Sequence, residues 1–106
     1  MKKSDLKWVA GLMADAIFNT NSFGKSGLQQ MNSYYYGQVY AYAMVILNLG
    51  DVDIRFDVAH IKDEATGFKT QMIKEVIIGV ESVSVIDLNW SEIKEVITEK
   101  IVKKSS

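Results

Sequence analysis

The chain has 106 residues, of which 48% are hydrophobic and 24% are charged, and its formal net charge is −1. These proportions predict one globular domain over residues 1–106 and argue against a disordered chain. Because cysteine is absent and there is no basic excess, disulfide frameworks, thiolate metal sites and nucleic-acid binding are disfavoured.

The first predicted element is an amphipathic helix over residues 5–18, with Ser4 as a suitable N-cap. Its apolar stripe consists of Leu6, Val9, Met13, Ala16 and Ile17. Trp8 and Leu12 flank this stripe, so we expect them to widen the buried face. Residues 19–27 are rich in Asn, Ser and Gly, which predicts a loop that ends the helix.

The next segment, residues 26–50, contains no Asp, Glu, Lys, Arg or His. Within it, residues 28–48 predict a second helix that ends at Gly50 and whose later half is apolar nearly all round. This pattern is typical of a covered helix, so we interpret it as a central helix around which the other elements pack. Gly37 and Ala41 lie four residues apart, which would let another element approach the helix backbone closely.

Four tyrosines of this second helix form the predicted partner-binding set: Tyr34, Tyr35, Tyr36 and Tyr40. Consecutive residues advance by about 100° around a helix, so the three adjacent tyrosines cannot all enter one core. At least one of them must therefore face solvent or a partner. Tyrosine is enriched at interface hot spots because it combines a rigid apolar ring with a hydroxyl group.

After the second helix the hydrophobic pattern changes from helical to alternating. Residues 51–61 predict a half-buried strand with His60 at the end of its apolar face, and residues 63–67 predict a hairpin loop. Residues 68–78 predict the returning strand, although their apolar positions also fit one face of a helix. Residues 80–88 then predict a third strand.

A final helix is predicted with Asn89 or Ser91 as its N-cap. Its core stripe consists of Ile93, Val96, Ile97 and Ile101. The predicted fold class is therefore α+β: two N-terminal helices, the second central and tyrosine-rich, a three-stranded antiparallel sheet and a C-terminal amphipathic helix.

Three patterns that would carry chemistry have simpler explanations, so we predict no catalytic residue, no metal site and no cofactor. Gly24, Lys25 and Ser26 match the end of a phosphate-binding loop, but that motif needs an earlier glycine at the position of Asn19. The single histidine, His60, is expected at the edge of the core. Three acidic residues of the first strand could gather a hard cation, although charges on the wet face of a strand are far commoner; these are Asp51, Asp53 and Asp57.

The sequence thus predicts a non-enzymatic protein-binding module that acts through its tyrosine-rich helix. Nearly all basic residues are lysine and proline is absent, a bias that fits an AT-rich genome. The most concrete hypothesis is a small phage or mobile-element accessory protein of anti-defence type, which inhibits a bacterial host factor. Its partner would then be a host or phage protein, with a homodimer as a further option and nucleic acid as a remote one.

We also expect a cytoplasmic protein without a membrane span. Asp5 and Lys7 interrupt any secretory signal, and the apolar run over residues 39–49 is shorter than the roughly 20 residues that a bilayer requires.

Two alternative functions remain open at this level. The first is a small-molecule-binding domain, with or without weak enzymatic activity, whose pocket would be lined by Tyr35, Tyr42, Phe56 and His60. The second is a scaffolding homodimer, which predicts an exposed seam along Val39, Tyr42, Ile46 and Leu49.

Overall fold

The computed structural model describes residues 2–105, so the first and last residues of the predicted domain lie outside it. The helices are α1 (Lys3–Lys25), α2 (Gln29–Gly50) and α3 (Trp90–Lys104). The strands are β1 (Ile54–Lys62), β2 (Lys69–Ile78) and β3 (Glu81–Ser84), which form one antiparallel sheet in the order β1-β2-β3. This arrangement confirms the predicted α+β class and order of elements.

α1 is longer than predicted, because the segment 19–25 that reads as a loop is helical. The helix ends in a Schellman motif: Gly27 has a φ of 70°, and the Leu28 N–H donates to the Phe23 carbonyl at 3.0 Å. Only residues 26–28 therefore connect the two long helices, which pack side by side as an αα-hairpin.

The helix at the centre of the fold is α1, which corrects the prediction that the other elements wrap the second helix. α1 packs against α2, α3 and β2, and eleven of its residues are buried, compared with four in α2. Small residues allow this close packing: Ala10 and Ala14 are fully buried, and Gly11 lies against Lys94 and Thr98 of α3.

The predicted apolar stripe of α1 is buried along its whole length. Trp8, which was expected to widen that stripe, instead lies in solvent with 68% of its surface exposed. The core also takes residues from the sheet and from α3; its largest members there are Ile73, Val76, Ile78, Ile93, Ile97 and Ile101. Asn89 is the N-cap of α3 and forms a capping box with Glu92. Of the two predicted N-caps, Asn89 and Ser91, it is therefore Asn89 that caps the helix.

Of the predicted segment 68–78, Lys69–Ile78 form a strand rather than a helix, because the preceding loop folds the chain back on itself. The Asp63 carboxylate accepts hydrogen bonds from the N–H groups of Ala65 and Thr66, and Gly67 adopts a φ of 74°. β1 and β2 then pair from Lys62 and Lys69 to Ile54 and Ile78. The hairpin loop predicted for residues 63–67 is confirmed.

The outer edge of β2 is shared between a short strand and side chains from the helices. β3 pairs only with Glu75–Ile78, and the pairing with β1 skips Lys74, which forms a bulge at the boundary. The third strand is thus shorter than the predicted 80–88. The first half of β2 has no strand on that side, so its backbone groups need other partners.

Three carboxamide side chains supply those partners. The Asn21 side chain accepts from the Ile73 N–H at 2.7 Å and donates to the Ile73 carbonyl at 2.9 Å. Asn32 does the same at Gln71, with distances of 2.9 Å and 2.8 Å. Gln29 accepts from the Lys69 N–H at 2.9 Å. Alternate residues of β2 are therefore bound by helix side chains as they would be by a neighbouring strand.

Candidate protein-interaction surface

α2 is buried along one narrow stripe and exposed over most of its remaining surface. The buried stripe consists of Asn32, Val39, Ala43 and Ile46. Eight of the thirteen large hydrophobic side chains that are exposed in the described part of the chain lie between Leu28 and Leu49: Leu28, Met31, Tyr34, Tyr40, Met44, Val45, Leu47 and Leu49. We refer to the side of α2 opposite the buried stripe as the outward face.

The outward face contains no charged residue, since residues 26–50 have none. A helix of 22 residues is about 33 Å long, and half of its surface is on the order of 500 Å². The largest apolar patch of a typical monomer covers about 300–600 Å² and is often functional, so a face of this size is a candidate interaction site. Within residues 2–105, no helix combines the length and apolar character that crossing a bilayer requires.

The four predicted tyrosines do not lie on one surface. Tyr34 is exposed, and Tyr35 is half-buried and stacks on Phe23 of α1 with parallel rings whose centroids are 5.7 Å apart. Tyr35 therefore ties the two long helices together. Of the three adjacent tyrosines, Tyr34 is the one that faces solvent.

The other two tyrosines connect α2 to the sheet. The hydroxyl groups of Tyr36 and Tyr40 lie 3.1 Å apart, and their rings meet edge to face. Tyr40 also contacts Phe56 of β1 edge to face, with ring centroids 5.1 Å apart. Tyr40 remains 43% exposed, so it lies at the rim of the outward face rather than at its centre.

Tyr36 provides a titration test of this aromatic contact. Burial, together with the hydrogen bond to Tyr40, raises the pKa of Tyr36 to about 12. A tyrosine of the unfolded chain has a pKa of about 10. The folded state thus keeps a proton that the unfolded state loses, and this contribution to stability is present below about pH 10 and is lost as the pH rises to about 12.

We expect Tyr36→Phe to remove the phenol ionisation that occurs at the highest pH, and with it the fall in stability between about pH 10 and about pH 12. Ultraviolet absorbance of tyrosinate follows the ionisation, and urea unfolding at several alkaline pH values follows the stability. Tyr34→Phe is the matched control, because it removes an exposed phenol and should leave the late step in place. An unchanged late step in Tyr36→Phe would refute the assignment.

Gly37 lies at the middle of α2, and no contact among residues 2–105 requires a glycine there. A Cβ atom built at Gly37 would have no atom within 4 Å. Glycine in a helix interior costs about 0.5–1 kcal/mol relative to alanine. The exposed Ala41 lies one turn further along the same face. The predicted close approach of another element at these two residues is thus not made within the chain.

Sequence reasoning missed most of the exposed hydrophobic residues: of the eight it named Tyr34 and Tyr40 as partner-binding residues, and Leu49 only in the seam of the alternative homodimer. The signal was present, because residues 39–49 are apolar around the helix. We interpreted that pattern as burial within the chain, whereas the structure covers only the stripe that faces α1 and β2.

The seam predicted for a scaffolding homodimer is wrong. Val39 and Ile46 are fully buried, Tyr42 packs against the core, and only Leu49 is exposed. The residues of the predicted small-molecule pocket are likewise dispersed: Tyr42 and Phe56 pack against the core, and Tyr35 stacks on Phe23.

His60 is exposed on β1 rather than placed at the edge of the core. Two of the three acidic residues of this region meet basic side chains. Asp53 lies 3.6 Å from Arg55, and Asp57 lies 3.8 Å from Lys74. Within the described residues, no group of three or more His, Asp or Glu side chains is arranged to hold a metal ion.

The resemblance of residues 24–26 to a phosphate-binding loop has a structural explanation. Gly24 lies where α1 meets β2, and a Cβ atom there would stand 2.7 Å from the Met72 sulfur and 3.1 Å from the Gln71 carbonyl oxygen. Glycine is needed at this position because the helix and the strand approach closely.

No protein-family model matches the chain, and no similar curated protein or solved structure was found. The assignment of function therefore depends on the geometry of the outward face.

Proposed function

We propose that this chain is a non-enzymatic protein-binding module whose docking surface is the outward face of α2. The observation that carries the proposal is the concentration of exposed hydrophobic side chains on one helix that has no charged residue. Apolar surface in contact with water is unfavourable, and a partner that covered this face would remove the unfavourable contact.

The size of the face supports binding of moderate strength. Only part of this roughly 500 Å² is apolar, because Gln30, Ser33 and Asn48 are also exposed on α2. At about 25 cal/mol per Å² of apolar area, burial therefore yields less than roughly 12 kcal/mol, whereas association costs an estimated 4–15 kcal/mol. Hydrophobic burial alone thus gives little surplus. The hydroxyl groups of Tyr34 and Tyr40 can add hydrogen bonds with a partner, which fits the frequency of tyrosine at interface hot spots.

A narrower version of the proposal is a phage or mobile-element protein that binds and inhibits a bacterial host factor. Its support is the residue composition, in which lysine replaces arginine almost completely and proline is absent. The fold adds no observation to this version. The alternative of a ligand-binding or enzymatic domain has weaker support, since the residues predicted to line its pocket are dispersed.

A pull-down from the lysate of a low-GC bacterium tests the proposal. The tagged native chain is compared with Met44→Glu, which places a charge on the outward face at a residue that is 59% exposed. Trp8→Glu is the matched control, because it places the same charge at a 68% exposed hydrophobic residue of α1. Both substitutions are at exposed positions, so both variants should fold.

We expect one protein to be retained by the native chain and by Trp8→Glu but lost with Met44→Glu, and to be identified by mass spectrometry. If the same proteins are retained by all three chains, or if Trp8→Glu alone loses them, the outward face of α2 is not the docking surface.

A further inference from the structure

The exposed residues of the outward face follow the spacing of a coiled-coil seam. Along the helix they recur at intervals of four, three, four, three and four residues: Gln30, Tyr34, Gly37, Ala41, Met44 and Asn48, all exposed. This is the alternation of the a and d positions of a heptad repeat, which every face of an α-helix shows, so the residue types at these positions rather than their spacing bear on the partner. The buried stripe on the opposite side of α2 is used for packing within the chain, so the helix has a second seam that is unoccupied by its own chain.

The second seam is symmetric about the middle of the helix. Its residues form three pairs whose members lie at equal distances on either side of Val39: Gly37 with Ala41, Tyr34 with Met44, and Gln30 with Asn48. α2 runs from Gln29 to Gly50, so Val39 lies close to its midpoint. When two copies of such a helix pack antiparallel about a twofold axis, each layer contains one member of a pair from each copy.

The members of each pair are chemically suited to one another. The central layers would contain only small side chains, which allow the two backbones to approach closely. The next layers would contain a tyrosine ring and a methionine sulfur, a favourable contact. The outermost layers would contain two carboxamides, and polar residues in a seam help to specify its register.

Charge and size also favour a second copy as the occupant. Two identical faces repel one another when they carry net charge, and this face carries none. A standard interface buries about 800 Å² per partner, and two outward faces of about 500 Å² each would bury about 1,000 Å² in total, which reaches the lower limit for a specific interface.

We propose that two copies of the chain associate through α2 as an antiparallel, twofold-symmetric pair, with Gly37 of each copy packed in one layer with Ala41 of the other. This proposal rests on the assignment of the outward face as a docking surface, and it names the partner as a second copy of the same chain. The absence of an intramolecular contact at Gly37 is explained, because its close approach is made between copies.

Light scattering coupled to size-exclusion chromatography tests the association. We expect the native chain to be a dimer, and Gly37→Leu and Ala41→Glu to weaken the dimer at least tenfold in dissociation constant. Space around Gly37 is open, so the leucine variant should fold, which circular dichroism would verify. Val80→Glu, at a 90% exposed residue of the turn before β3, is the control and should remain dimeric. A native chain that stays monomeric at sub-millimolar concentration overturns the proposal.

The absence of cysteine allows the orientation to be tested by cross-linking. Tyr34→Cys and Met44→Cys are prepared separately, mixed and treated with a short bismaleimide. The antiparallel pair predicts cross-links between the two variants, and few within either variant alone, since identical positions would lie ten residues, or about 15 Å, apart along the helices. Efficient cross-linking of each variant with itself would indicate parallel helices and refute the arrangement.

Failure of this inference can be distinguished from failure of the proposed function. If the chain is monomeric but loses a specific partner with Met44→Glu, the outward face binds a different protein and the self-association is refuted. If the chain is dimeric and neither Gly37→Leu nor Ala41→Glu weakens the dimer, the copies associate through another surface and the proposal is equally refuted.

Discussion

Asn32→Ala should lower the free energy of unfolding by about 3 kcal/mol, a substantial part of the 5–15 kcal/mol typical of a small domain. The Asn32 side chain is fully buried and binds both backbone groups of Gln71, and its amide also donates to the Thr20 carbonyl at 2.8 Å. Alanine would leave the Gln71 N–H and carbonyl without partners in a region where no strand can replace them, and each unpaired buried group costs about 1–3 kcal/mol.

Urea unfolding followed by circular dichroism measures this loss. Asn48→Ala is the matched control when the protein is dilute enough to be monomeric, because Asn48 is on the same helix but exposed, and its replacement should then change the stability by less than about 0.5 kcal/mol. Equal stability of Asn32→Ala and the control would mean that the edge of β2 does not depend on the helix side chain.

Gly24→Ala should lower the free energy of unfolding by about 1–3 kcal/mol, although alanine normally stabilises a helix. The added methyl group would stand 2.7 Å from the Met72 sulfur and 3.0 Å from the Asn32 amide nitrogen. Both neighbours are buried, so α1 would have to move away from β2, and the hydrogen bonds of Asn32 to the strand would be strained.

In urea unfolding, which measures both glycine variants, Gly37→Ala should have the opposite effect on the free energy of unfolding. Gly37 has no atom within 4 Å of a built Cβ, so alanine should stabilise the chain by about 0.5–1 kcal/mol when the protein is dilute enough to be monomeric. If both alanine variants are stabilising, the contact between α1 and β2 is looser than the structure indicates.

Gly24 and Gly37 both stand inside helices, where glycine is unfavourable, and the reason for each lies either in the packing of the fold or in a partner. Gly24 is explained by the close approach of a strand of the same chain. Gly37 lowers the helix propensity of α2 and is not explained by any contact within the chain. Such conflicts between local rules and observed structure are expected at functional sites, which is why the outward face carries both proposals.

The candidate site could be found in the sequence but not correctly interpreted there. The gap in charged residues over 26–50 marked the right helix, and the advance of about 100° per residue correctly required one exposed tyrosine, which is Tyr34. A helix that is apolar all round is consistent both with burial inside its own chain and with burial against a partner. The sequence pattern contains no information that separates these two cases.

The loop predicted for residues 19–27 shows a related limit. Asn, Ser and Gly usually favour loops because their side chains compete for backbone hydrogen bonds. For Asn21 this competition is absent, because its side chain binds Ile73 of β2, 52 residues further along the chain. No local pattern could have shown that these polar groups have partners in a distant strand.

The sequence by itself determined the type and order of the elements, the apolar stripe of α1, the cap of α3 and the hairpin before β2. These features depend on hydrophobic period, capping and turn residues, all of which act over a few positions. Only the tertiary structure decided that α1 rather than α2 is central, that carboxamides complete the edge of β2, and that one face of α2 is left uncovered. These features depend on which surfaces meet, and close packing between distant segments is set by the shape of the whole chain.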